Sequence, residues 1–218
     1  MTYPIGNVYG VLLNNGAEFE LWQSAMLAPP YKGVPRAPVL YIKTANTWSL
    51  TGTEVPVPWT ALEVELGATI GLIFDRDVMR GDAGIDAVSH CLLLNDLSLP
   101  NATFFRPPVR HKNLDGFLGI GAKPVPLAQV GDLAALRLAV NVDGELRQIV
   151  TFDRLVRDAR TLVNDVADFM TLCAGDVLML GLGVSSDGRR PRAHIGQRIE
   201  ITAPGFEPLV NLLVAEVP

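Results

Sequence analysis

A carboxylate, a lysine and a further pair of carboxylates stand in this chain where they could act together on a small acid. Asp96 closes the apolar run His90-Cys-Leu-Leu-Leu-Asn-Asp, which reads as a buried strand ending in a charge. Lys112 follows sixteen residues later, after a Pro-containing loop, with His111 before it and Asp115-Gly-Phe117 just beyond. Upstream, the acids of Glu63-Val-Glu65 would share one face of a strand. Oxygen ligands suit a hard divalent cation such as Mg²⁺. An oxo-acid chelated by such a cation can develop an enolate whose charge the metal stabilises. A nearby lysine can stabilise the same charge or move a proton. Decarboxylation of a β-keto acid and isomerisation of a dienol share that requirement.

Each of these residues also has an ordinary reading. An Asn-Asp pair at a strand end commonly caps a turn, and a lone lysine is normally a surface charge. His90, His111 and His194 have no recognised metal spacing, although His111 adjoins Lys112. Ser98, Ser185 and Ser186 lack the nucleophile elbow of a serine hydrolase. The glycines of Gly181-Leu-Gly183 do not complete a dinucleotide fingerprint. Arg189-Arg190-Pro-Arg192 reads as a solvated loop or, more sharply, as a clamp for an acidic substrate.

The elements that must position these groups are mostly strands. Tyr9 to Leu13, Val39 to Ile42 and Leu66 to Phe74 are apolar runs of strand length. Phe19, Trp22 and Met26 recur at helical spacing after the break at Asn14-Asn15-Gly16. A short helix is expected over Asp82 to Ser89. Asp143-Gly144 separates two strand-like runs, a hairpin signal. The longest predicted helix covers Asp153 to Met170, with Leu155, Ala159, Leu162, Val166 and Met170 on one face. Strands near 177–180, 198–202 and 209–214 complete one β-rich α+β domain over residues 1–218.

Composition narrows the partners. The net charge of −5 removes the usual electrostatic case for nucleic acid. No apolar run approaches the roughly 20 residues that span a bilayer, and Met1-Thr-Tyr-Pro-Ile-Gly lacks signal-peptide regions. Cys91 and Cys173 both read as small core residues. A soluble cytoplasmic protein is the simplest reading.

Asn95-Asp96-Leu97-Ser98, Lys112 with Asp115-Gly-Phe117, and Gly175-Asp-Val-Leu-Met-Leu-Gly181 together resemble motifs of the fumarylacetoacetate hydrolase superfamily. Pro30-Tyr-Lys32, Tyr41-Ile-Lys43, Gly67-Ala-Thr69 and Phe105-Arg106-Pro107 extend the likeness. They direct it to the first half of the two-part isomerase/decarboxylases of 4-hydroxyphenylacetate degradation. The resemblance implies a mixed β-roll of the fumarylacetoacetate hydrolase C-terminal type, and action on 5-oxopent-3-ene-1,2,5-tricarboxylate and 2-hydroxyhepta-2,4-diene-1,7-dioate. It also implies Mg²⁺ or Mn²⁺, with Asp96 as a metal ligand and Lys112 as the catalytic lysine; Arg106 and His111 are the substrate-binding candidates. A homodimer, or pairing with a paralogous second subunit, is implied as well.

Two departures accompany the resemblance. The family's Glu-x-Glu ligand pair aligns on Gly67 and Thr69, and its threonine beside the substrate aligns on Leu182. Glu63 and Glu65 are the nearest substitutes. Each two-residue step shifts a side chain about 6.5 Å along a strand, so they would serve only through a bulge or a relocated metal. Three functions stay open: an active lyase/isomerase, a non-catalytic partner of a metal-bearing paralogue, and a hydrolase of another oxo-acid.

Overall fold

Strands buried on both faces form the centre of this chain, as its near-continuous apolar runs require, while other strands alternate between core and solvent. The computed structural model describes residues 6–101, 103, 108–185 and 187–216; Arg106 therefore lies outside the described residues. In chain order the elements are β1 (Val8–Leu12), α1 (Gly16–Met26), β2 (Val39–Lys43), β3 (Trp48–Leu50), β4 (Glu54–Val57), β5 (Val64–Glu65), β6 (Ala68–Phe74) and β7 (Val88–Asp96). There follow α2 (Val109–Lys112), β8 (Leu118–Ile120), β9 (Val125–Pro126), α3 (Leu127–Val130), β10 (Arg137–Val142) and β11 (Glu145–Thr151). The chain continues through α4 (Ala159–Ala167), β12 (Val177–Met179), β13 (Arg192–Ala193), β14 (Arg198–Thr202) and β15 (Leu209–Ala215).

The larger sheet runs β2-β1-β12-β6-β7-β8-β3, with β9 added to β7. It is mixed, because β1 pairs β12 and β3 pairs β8 in parallel while its other pairs are antiparallel. A second sheet runs β11-β10-β14-β15-β4, and β5 pairs β13 separately. This is the β-rich mixed-sheet roll expected from the sequence. Strand β7 shows the period of two that builds it. Cys91 and Leu93 enter the main apolar cluster with Leu138, Val140, Ile199 and Ile201, whereas Leu92 and Leu94 enter a second cluster with Val8, Leu12 and Met26.

Several local expectations hold. Asn15 caps α1 by accepting from the N–H groups of Ala17 and Glu18, and Phe19, Trp22 and Met26 face the second cluster. Asp143 and Gly144 take φ of 51° and 82°, the positive values of a tight primed turn joining β10 to β11. Others need correction. The helix expected from Asp153 begins only at Ala159, because Asp158 accepts from the N–H of Thr161 and caps it there. The expected helix over Asp82 to Ser89 is a single 3₁₀ turn, Gly84–Ala87, before β7 begins at Val88. Cys91 is buried, but Cys173 is exposed, since it precedes the turn at Gly175 rather than lying inside β12.

Candidate functional site

Asp96 ends β7 in the middle of the larger sheet, opposite Leu118 of β8, with its N–H donating to the carbonyl of Gly67 at 2.9 Å. Its side chain is fully buried and meets three polar groups. Lys112 Nζ donates to Oδ2 at 2.6 Å, the Tyr41 hydroxyl donates to the same oxygen, and Lys43 Nζ lies 2.9 Å from Oδ1. Tyr41 and Lys43 are alternate residues of β2 and so share a face. Gly10 lies opposite Tyr41 in β1, and any Cβ there would fall inside the Tyr41 ring. The missing side chain is what lets the phenol cross β1.

Lys43 explains how this charge is held. Its ammonium has three protons and donates to three main-chain carbonyls, those of Leu97 (3.2 Å), Phe117 (2.7 Å) and Lys112. Asp96 Oδ1, 2.9 Å away, is the fourth oxygen around these three protons and meets Lys43 chiefly as a charge. Lys112 closes α2 and places its ammonium 4.7 Å from the centre of the Tyr41 ring, a cation–π distance. Asn113 Nδ2 donates to the carbonyl of Ile42 at 2.9 Å, tying the end of α2 to β2.

The electrostatics follow from burial and pairing. Burial alone would raise the Asp96 carboxyl, but Lys112 and Lys43 outweigh it and hold it well below the usual carboxylate range. Burial pulls Lys43 down to about 8, against the opposing pull of Asp96. Lys112 is lowered for the same first reason, with Arg190 adding to the effect. Tyr41 is pushed well above its ordinary value by burial and by the Asp96 charge.

The positions that would carry the other carboxylates are filled. A Cβ on Gly67 would sit 2.5 Å from the Asp96 carbonyl oxygen and 3.1 Å from a methyl of Leu182. Leu182 thus packs against Gly67, and a side chain at position 67 would press on it. Thr69 is buried and donates its hydroxyl to the carbonyl of Gly181 at 2.6 Å. Glu63 and Glu65 lie on the far side of the break between β5 and β6, where Arg192 contacts them at 2.5 and 3.1 Å. Glu65 is also 3.8 Å from Arg190. No group of three or more His, Cys, Asp or Glu that could hold a metal ion is found among the described residues. With Lys43 and Lys112 already on Asp96, a divalent ion there would meet two ammonium charges and one carboxylate. These residues do not fit Mg²⁺ or Mn²⁺.

Of the sequence candidates, the structure brings Asp96 and Lys112 into direct contact and sets His111, Lys112 and Glu65 around one cavity. Glu63 stands apart from that cavity. Sequence reasoning assigned no site role to Tyr41, Lys43 or Glu18. Arg190 is neither a solvated loop residue nor an open clamp: its side chain is 10% exposed and ion-paired to buried Glu18 of α1. A signal for Lys43 existed. The chain has only four lysines, and one falls in phase with Tyr41 on an apolar strand.

A curled mixed roll with few helices and a strand-end aspartate beside a lysine defines a chain of the fumarylacetoacetate hydrolase type. The fumarylacetoacetate (FAA) hydrolase C-terminal family matches residues 7–214, and the chain belongs to that family. It is 32% identical over 97% of its length to the 4-hydroxyphenylacetate degradation bifunctional isomerase/decarboxylase of Escherichia coli, covering 48% of that protein. The chain thus spans about half the length of such relatives. A mitochondrial oxaloacetate tautomerase of Arabidopsis thaliana is also 32% identical, over 79% of this chain and 78% of its own. Among solved structures, 5-carboxymethyl-2-hydroxymuconate delta-isomerase from Mycobacterium smegmatis superposes with a TM-score of 0.79 at 23% identity, covering 99% of this chain and 81% of its own. Fumarylpyruvate hydrolase from Pseudomonas aeruginosa, in complex with Mn²⁺ and pyruvate, gives 0.81 at 21%, covering 99% and 92%. At these identities the two structures speak to the fold.

Proposed function

We propose that this chain is a component of an isomerase/decarboxylase that handles small oxo-acids or dienoates in aromatic catabolism, and that it supplies the part that binds no metal. The identity of 32% across nearly the whole chain to a bifunctional isomerase/decarboxylase carries the first half of this reading. The second half rests on Leu182 packing against Gly67, and on two lysines holding Asp96. A metal-bearing paralogue or a second, metal-bearing half would then perform the enolate chemistry, while this chain supports or completes it.

In this reading the chain's own residues act on charge rather than on bonds. Asp96 fixes Lys43 and Lys112; Lys43 locks three carbonyls of the surrounding loops; Lys112 presents the ammonium that borders the cavity. The test is co-expression with a paralogue that retains Glu-x-Glu, followed by assay with 2-hydroxyhepta-2,4-diene-1,7-dioate. Co-purification and turnover only by the pair are expected. Metal-dependent turnover by this chain alone, abolished in Asp96→Ala, would overturn the partner role.

A further inference from the structure

A small cavity of about 40 Å³ lies beside Lys112, the lysine paired with Asp96, and is bordered also by Glu65, Ser98, His111 and Arg190. Two buried polar atoms of these residues, Arg190 Nε and His111 Nδ1, have no hydrogen-bond partner among the described residues. A buried donor without an acceptor is costly, and native structures rarely leave one unexplained. Arg190 has other nitrogens on Glu18 and near Glu65, so its Nε–H is a spare donor on a guanidinium that is already fixed in place. Lys112 has three protons, one of them committed to Asp96.

The acid bordering this cavity, Glu65, and the acids paired with the cavity's cations all have their own counter-charges. Asp96 lies against Lys43 and Lys112, Glu18 against Arg190, and Glu65 against Arg192 and Arg190. The Arg190 Nε–H and the Lys112 ammonium are left over as donors, His111 Nδ1 joins them in the tautomer that carries its proton there, and a cavity of this size admits one compact acceptor group. We infer that the cavity holds the carboxylate head group of a small oxo-acid directly on Lys112, Arg190 Nε and His111 Nδ1, with no metal ion between protein and ligand. The choice of an oxo-acid rests on the function proposed above; the metal-free mode of binding rests on these residues alone.

The test is calorimetric titration of the full chain with oxalate, first in EDTA and then with excess Mn²⁺. Binding in EDTA is expected, with no gain when Mn²⁺ is added. It should weaken by about tenfold or more in R190K and K112Q, the loss that one charge-assisted hydrogen bond implies. R190K keeps a cation for Glu18 but has no Nε–H. H111Q, at a half-buried residue outside the ion pairs, is the second probe should either variant melt early, and it should weaken binding in the same direction. Binding in EDTA that none of the three variants affects would overturn the placement. Binding only with Mn²⁺ would overturn the metal-free mode and leave the oxo-acid reading standing. No binding in either condition would count against both.

Discussion

Asp96 and Glu63 are both ion-paired carboxylates, yet their surroundings give the two pairs opposite weight. Asp96 has no exposed side-chain surface and two equally enclosed cations, whereas Glu63 and Arg192 are 35% and 39% exposed. Water screens and competes for the second pair; nothing but protein can satisfy the first. The cluster at Asp96 is therefore a structural commitment of β2, α2 and β7, and the pair at Glu63 is a surface decoration of β5 and β13.

Breaking the buried cluster should have the largest effect. Asp96→Asn leaves two ammonium groups without their counter-charge and should cost about 3–5 kcal/mol of stability, measured by urea unfolding. Lys43→Met should cost a similar amount, roughly 3–5 kcal/mol, because three carbonyls lose their donor along with the ion contact. Gly67→Ala tests the filled ligand position more narrowly. Its methyl would press on the Asp96 backbone and Leu182, and about 1–3 kcal/mol of overpacking is expected. Arg192→Ala, on the exposed side of the comparison, should cost about 1 kcal/mol or less. If Arg192→Ala proved as damaging as Asp96→Asn, the contrast between the two regions would fail.

The pH dependence sharpens the same contrast. Lys43 has a folded value of about 8, below its unfolded value of about 10.4. Between those values the unfolded chain binds more protons, so this group makes stability rise with pH. The cost of burying its charge is present in full below pH 8. Tyr41, shifted upward, opposes the rise once the unfolded phenol ionises near pH 10. A higher urea midpoint at pH 9.5 than at pH 8 is expected, with a smaller difference in Lys43→Gln. Asp96 acts at the other end: its lowered value contributes stability above the ordinary carboxylate range that is lost as pH falls toward the folded value.

Much of the frame was legible because each element announced itself locally. Asn15 and Gly16 start α1, Asp143-Gly144 turns the hairpin, and the alternation along β7 gives two buried faces. The motif around Asn95-Asp96 and Lys112 named two residues that the fold brings into contact. What stayed hidden depends on contacts distant in sequence. Lys43 reaches carbonyls 54 to 74 residues away, and Arg190 meets Glu18 across 172. Glu63 and Glu65 could substitute only through a bulge or a relocated metal; the chain does break between β5 and β6, but both acids pair with Arg192, a contact 127 to 129 residues away that the local sequence does not show.

The central claim is that cationic side chains close the site at Asp96 against a metal. Electron paramagnetic resonance of Mn²⁺ mixed with the purified chain tests it directly. The free-ion spectrum should persist at full intensity with the wild-type chain in molar excess. Loss of that signal, restored by Asp96→Asn in a sample that remains folded, would contradict it.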